Sequence, residues 1–277
     1  MATKKKGILI VPFGTTVSRA AEAFSRFDVT VKSRFSGREV RWAYTSSIVR
    51  RKLAVQGIVK QGVSEALSQF VADGYREIGI LSLQTIPGYE YELIRHDVSS
   101  FLHTSTAEGV NIVVAKPLLS GYDDALSTAK ALLKAAPSGR IAKDALVFMG
   151  HGSGCHEADL FYVAMASIIC KLDPHAFLGT VEGHPTLDDI IMHCKHAGIR
   201  KAWLVPFMAI AGDHAINDMA GDNDDSWKTV LSKEGITCEA FLQGTLDNPN
   251  IAKIWLDHLE ASIDKAESAV KRVDTVL

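Results

Sequence analysis

Three side chains that lie far apart in the chain, His151, Glu182 and His214, have the types and settings to hold one divalent metal ion. His151 stands in Met149-Gly150-His151-Gly152-Ser153-Gly154, directly after an apolar run. The flanking glycines permit a tight turn and let a flat ligand approach the backbone. Glu182 closes a second apolar run in Gly179-Thr180-Val181-Glu182-Gly183-His184-Pro185; a carboxylate just past a buried strand faces a cleft mouth rather than bulk solvent. His214 follows a third run, in Ala211-Gly212-Asp213-His214-Ala215-Ile216-Asn217-Asp218. There Gly212 supplies a turn, Asp213 can cap a helix, and an imidazole in the first helical turn is expected to be uncharged, because a helix N-terminus disfavours a cation. Asp213 or Asp218 can orient that ring through its other nitrogen. Two imidazoles and a carboxylate suit cobalt, iron or nickel. Three protein ligands leave positions open for water or substrate, as a catalytic site requires.

Each residue also has an ordinary role to set against this one. His151 could be a turn histidine bonded to a carbonyl, and Glu182 a solvated loop acid. His184, held extended by the proline after it, competes with Glu182, and His156 beside Cys155 lies close enough to the glycine turn to approach the same place. His193 and His196 have chelating i, i+3 spacing but sit in a polar segment, and His96, His103, His175 and His258 read as surface or helix-end residues. Asp222-Asn223-Asp224-Asp225 reads as a solvated helix boundary. Arg50, Arg51 and Lys52 either bind substrate carboxylates or form an exposed basic face. Cys155, Cys170, Cys194 and Cys238 contain no CxxC pair and read as reduced thiols.

The elements that must position these groups are short apolar runs alternating with amphipathic stretches. Strands are expected at 7–12, 39–45, 77–83 and 111–116, then at 145–150, 177–181, 201–207 and 237–242. Helices are expected at 17–35, 47–73, 88–104, 121–136, 157–173, 186–197, 213–233 and 248–272. Continuous apolar strands between helices indicate α/β architecture with parallel sheets covered on both faces. The two sets form an internal repeat: Ile8-Leu9-Ile10-Val11-Pro12-Phe13-Gly14-Thr15 matches Leu146-Val147-Phe148-Met149-Gly150-His151-Gly152-Ser153, and Ile80 to Gly88 matches Leu204 to Gly212. Two Rossmann-like lobes follow, 1–137 and 138–277, the second carrying the metal ligands. The ligand is expected beyond the carboxyl ends of the strands, in a cleft where the lobes face each other. Superposed halves put Phe13 opposite His151, Ser46 near Glu182 and Glu90 opposite His214. A shared scaffold explains the glycines; it does not explain why one copy alone has the metal-binding groups.

Bulk properties narrow the function. The chain has 277 residues, 47% of them hydrophobic, and a formal net charge of -2. Nothing in that balance attracts nucleic acid, so an acidic ligand must be met by a local basic patch. Lys4, Lys5 and Lys6 before Gly7 to Val11 imitate a signal peptide, but the run is short and no small-residue cleavage site follows. No apolar stretch reaches the ~18 residues of a membrane span. A cytoplasmic protein without a membrane segment is expected, and a homo-oligomer is open. The turns contain neither GxGxxG nor a Walker sequence, which argues against a nucleotide site.

Phe-Met-Gly-His-Gly (148–152), Gly-Thr-Val-Glu-Gly (179–183) and Ala-Gly-Asp-His-Ala-Ile-Asn-Asp-Met-Ala-Gly-Asp with the following Asp-Asp-Ser-Trp (211–227) together resemble the anaerobic-pathway sirohydrochlorin cobaltochelatases. These are class II chelatases, related in fold to ferrochelatase. Pro-Phe-Gly-Thr-Thr (12–16), Arg-Trp-Ala-Tyr-Thr (41–45) and Gln-Thr-Ile-Pro-Gly (84–88) extend the resemblance over nearly the whole chain. It implies a tetrapyrrole cleft, with His151, Glu182 and His214 as metal ligands and catalytic residues. It also implies ATP-independent insertion of Co2+ into sirohydrochlorin with release of two protons, in cobalamin synthesis. One of the two histidines would accept a pyrrole proton. Tyr44, Leu83, Ile86, Phe207 and Met208 are candidates to pack on the ring, or are simply core. Exported relatives bind haem through a histidine after the Thr-Ile-Pro-Gly motif. Here that segment is Tyr89-Glu90-Tyr91-Glu92, with Glu92 at the ligand position, so no haem is expected. Ligand types do not separate Co2+ from Fe2+, which leaves ferrochelation of the same macrocycle as an alternative enzyme and a tetrapyrrole or metal carrier as a non-enzymatic one.

Overall fold

The computed structural model describes residues 4–154 and 156–274, with residues 270–274 described in backbone only. Strand β1 (Lys5–Val11) leads through helix α1 (Ser18–Arg34) to β2 (Glu39–Trp42). Helices α2 (Ser47–Val55) and α3 (Val63–Ala72) return the chain to β3 (Tyr75–Ser82), and α4 (Tyr89–Leu102) leads to β4 (Asn111–Val114). After α5 (Tyr122–Lys134) the scheme begins again with β5 (Ala145–Gly152), α6 (Leu160–Leu172), β6 (Ala176–Glu182), α7 (Leu187–His196) and β7 (Lys201–Pro206). It closes with α8 (Trp227–Lys233), β8 (Thr237–Ala240) and the long α9 (Pro249–Asp274).

All ladders are parallel, and the two four-stranded sheets have the same strand order, β2-β1-β3-β4 and β6-β5-β7-β8. The repeat read from the sequence is thus a repeat of topology. The central strands explain their apolar runs: Ile8 to Val11 and Ala145 to Met149 are essentially inaccessible, as strands covered on both faces must be. One core gathers Leu9, Phe70, Ile80 and Ile94, the other Val147, Met149, Ile190, Leu204 and Trp227.

The chain divides into two compact units, one of Met1–Thr16, Phe24–Leu118 and Lys253–Leu277, the other of Val17–Ala23 and Leu119–Ala252. An even division at 137/138 gives the last helix to the second half; here most of α9 groups with the first. Its seat is Gly79 in β3, where a Cβ would come within 3.0 Å of Leu259 and 3.2 Å of Ile263. Ion pairs of Arg34 with Asp257 and Glu260, and of Lys6 and Arg38 with Glu267, bind its outer turns.

Two stretches that read as single helices are interrupted. Within 47–73, Gly57 takes φ +78, and the chain restarts at Gly62, whose N–H is held by Glu65 at 2.8 Å. Within 213–233, a short helical turn ends at Gly221, and Ser226 starts α8 by accepting the Thr229 N–H while donating to the Gly221 carbonyl. Both breaks fall where a glycine and a capping residue outweigh a continuing apolar pattern. Among the described residues, no helix is long and apolar enough to cross a membrane.

Candidate metal centre

Strand β5 ends in a corner that only glycine can build. A side chain on Gly150 would enter the Tyr162 ring at 2.7 Å. Gly152 has φ +85, and a Cβ there would lie 1.7 Å from the Glu182 carbonyl oxygen. Gly152 stands opposite Glu182 in the β5–β6 register, and the Gly154 N–H donates to that same carbonyl at 3.2 Å. The backbone that carries His151 is therefore fastened to the backbone that carries Glu182. Tyr162, 2% exposed, closes the underside; burial pushes its phenol far above the usual range, with the amides of Gly152 and His151 partly opposing the rise.

His214 comes from the segment after β7, in a short helical turn whose residues Ala215–Met219 have π geometry, a form frequent at functional sites. Ala215 and Met219, both fully buried, anchor the turn, and His214 is left partly exposed. The result is an imidazole pair: the His151 and His214 rings lie 4.6 Å apart between centroids, edge to face at 89°. Rings that share one metal at ~2.1 Å per nitrogen have centroids roughly 4.5–5.5 Å apart.

The partners of both rings fix their tautomers. His151 Nδ1 lies 3.1 Å from the Gly152 carbonyl oxygen, which can only accept, so Nδ1 carries a proton and, in the neutral ring, Nε2 carries the lone pair. His214 Nδ1 meets the Asp218 carboxylate by the same logic. Of the two acids that could orient this ring, Asp218 does so, while Asp213 accepts a hydrogen bond from Asn217. A carboxylate behind a histidine is the arrangement that raises its basicity toward a metal.

Glu182 is exposed at the end of β6. Among the described residues, no three His, Cys, Asp or Glu side chains converge tightly enough to hold an ion, so two of the three expected ligands are assembled and the carboxylate is adjacent in backbone only. His184 is exposed, beside Asp189. His156 caps a turn through the Ala158 N–H, and His193 stacks on Phe177 at 5.6 Å. Burial pushes the Cys194 thiol up to about 11 and Cys238 up to about 12, so neither offers a thiolate near neutral pH; Cys155 lies outside the described residues. Of the ring-packing candidates, Tyr44, Leu83, Ile86 and Phe207 are buried and only Met208 is half-buried. Ser153 and Asp159, which carried no signal in the sequence, turn out to lie under the corner.

The first unit has a different feature at the carboxyl ends of its strands. Thr45 Oγ1 and Arg50 Nε follow β2, Gln84 Nε2 and Glu90 Oε2 follow β3, and all four are buried polar atoms without a hydrogen-bond partner. Such atoms cost about 1–3 kcal/mol each, a cost that a polar ligand relieves.

Comparison with known proteins agrees with this chemistry. Residues 6–264 match the family described as cobalt chelatase (CbiK). The chain is 38% identical over 259 residues to the sirohydrochlorin cobaltochelatase CbiKC of Nitratidesulfovibrio vulgaris, covering 94% of this chain and 91% of that protein. It is 33% identical to the sirohydrochlorin cobaltochelatase of Salmonella typhimurium, covering 95% and 98%. Among solved structures it resembles SirB from Bacillus subtilis with Fe3+, at a TM-score of 0.65 and 14% identity, covering 95% of this chain and 98% of that one; this likeness speaks to the fold.

Proposed function

The chain belongs to the cobalt chelatase (CbiK) family, and we propose that it is a cytoplasmic, ATP-independent enzyme that inserts Co2+ into sirohydrochlorin and releases two protons. The observation that carries the reading is the imidazole pair, with both Nδ1 atoms engaged and both Nε2 atoms left to bind a cation. The two rings replace water on the incoming ion. Glu182 turns in from the adjacent strand end as third ligand and offsets the charge. As the ion passes to the macrocycle nitrogens, the freed Nε2 of His151 or His214 accepts a pyrrole proton, a transfer suited to imidazole near neutral pH. Holding the ion against the ring supplies proximity.

The test is His214→Ala, assayed anaerobically with Co2+ and with Co2+ and Fe2+ in competition. Insertion is expected to fall at least about 100-fold, with weaker cobalt binding. Wild-type insertion with unchanged cobalt affinity would remove the pair from the mechanism, and preferred Fe2+ insertion would make the enzyme a ferrochelatase.

A further inference from the structure

Behind the metal-facing surface of the second unit lies one carboxylate that the reaction above does not use. Asp159 is 7% exposed and sits at the N-terminus of α6, without capping it. Its Oδ1 accepts the Ser153 hydroxyl at 2.6 Å. Its Oδ2 is buried with no hydrogen-bond partner and presses on Gly183, where a Cβ would come within 2.3 Å of it. Ser153 is two residues beyond His151, and Gly183 directly follows Glu182. A single side chain therefore touches both segments that carry ligands. Gly183, at φ +132, is required twice over, once by its backbone and once by this contact.

The energetics argue that the carboxylate has a task. Burying a charge with one oxygen unpaired is unfavourable, and the positive end of α6 offsets only part of that. An apolar side chain would fill the space without the penalty; what it cannot do is hold Ser153. We propose that Asp159 is a positioning residue: it ties the His151–Ser153 corner to the Glu182–Gly183 strand end and so sets the spacing between imidazole and carboxylate. This rests on the chelatase reading.

The variants are Asp159→Ala, Asp159→Asn, Ser153→Ala and the Asp159→Ala/Ser153→Ala pair. They are compared by anaerobic cobalt titration, by kcat and the KM for sirohydrochlorin, and by hydrogen exchange of the Gly154 amide, which bonds to the Glu182 carbonyl. Asp159→Ala and Ser153→Ala are each expected to weaken cobalt binding about 10- to 100-fold, to leave the macrocycle KM unchanged, and to speed Gly154 exchange. The double variant should be no worse than the worse single one. Asp159→Asn, which keeps an acceptor for Ser153, should recover most of the affinity. If Asp159→Ala does not fold, Ser153→Ala decides. Unchanged cobalt affinity and unchanged Gly154 exchange in a folded variant overturn the proposal. A wild-type protein that inserts no cobalt defeats the functional reading instead, and the exchange rates then judge the tie on their own.

Discussion

Phe13-Gly14-Thr15 and His151-Gly152-Ser153 occupy the same place in two sheets of identical strand order. Both corners need a glycine with positive φ, +108 at Gly14 and +85 at Gly152. What each glycine makes room for differs. A Cβ on Gly14 would meet the ring of Tyr44 at 2.5 Å, whereas one on Gly152 would meet the backbone of Glu182 at 1.7 Å. The first corner admits an aromatic side chain and closes a core; the second brings the backbones of two strand ends together, those that carry His151 and Glu182. The backbone device is shared. In the proposed reaction the chemistry comes from a few side chains placed on one copy of it.

The two corners should differ most in how they tolerate loss of their glycines. Gly152→Ala has no relaxed outcome, because the obstacle is backbone. It is expected to destabilise the protein by about 3 kcal/mol or more and to reduce cobalt insertion at least about 100-fold, by separating His151 from Glu182. Gly14→Ala meets a side chain instead. It should cost about 2 kcal/mol in stability and leave cobalt affinity intact. Thermal unfolding and anaerobic cobalt titration of both variants check this. Equal loss of cobalt binding in the two would mean that the corners are not functionally distinct.

That asymmetry was legible in the sequence because strand ends are. Continuous apolar runs located β5 and β6, and a polar residue one step past such a run must emerge at the sheet edge, which is how His151 and Glu182 stood out. What was hidden depended on turns. The stretch 47–73 read as one helix; Gly57 and Gly62 decide otherwise only once Glu65 binds the Gly62 amide. The geometry at His214 was half legible: a helix start was evident, its π form and the choice of Asp218 over Asp213 were not. Asp159 gave no signal, since Glu157-Ala158-Asp159 looks like any acidic first turn, and its partner Ser153 reaches it only after the glycines have folded the corner.

A smaller effect is expected behind His214. Asp218 holds Nδ1 of that ring and touches no substrate in this scheme. Asp218→Ala should weaken cobalt affinity and insertion about tenfold to a hundredfold with little change in the KM for the macrocycle, and Asp218→Asn, which still accepts from Nδ1, should retain more of both. The first unit has Glu90 at the position corresponding to His214, where no ring needs orienting, so Glu90→Gln should not reproduce this split between cobalt affinity and macrocycle KM. If it did, the orienting carboxylate would not be what distinguishes the two strand ends.

The mildest substitution separates the corner from the imidazole pair. Phe13→His places an imidazole on the first corner at a side chain already 45% exposed, so the change in stability should stay within about 0.5 kcal/mol. If a histidine on a glycine corner were sufficient for a metal site, this variant would gain one. The proposed site argues that it is insufficient: beside His151 a second imidazole stands 4.6 Å away with its own orienting carboxylate, and the repeat offers Phe13 no such partner. Cobalt titration of Phe13→His in a His151→Ala background, where the native pair is gone, should show no new binding. New binding there would mean that the corner itself, not the pairing of two imidazoles across β5 and β7, is what recruits the ion.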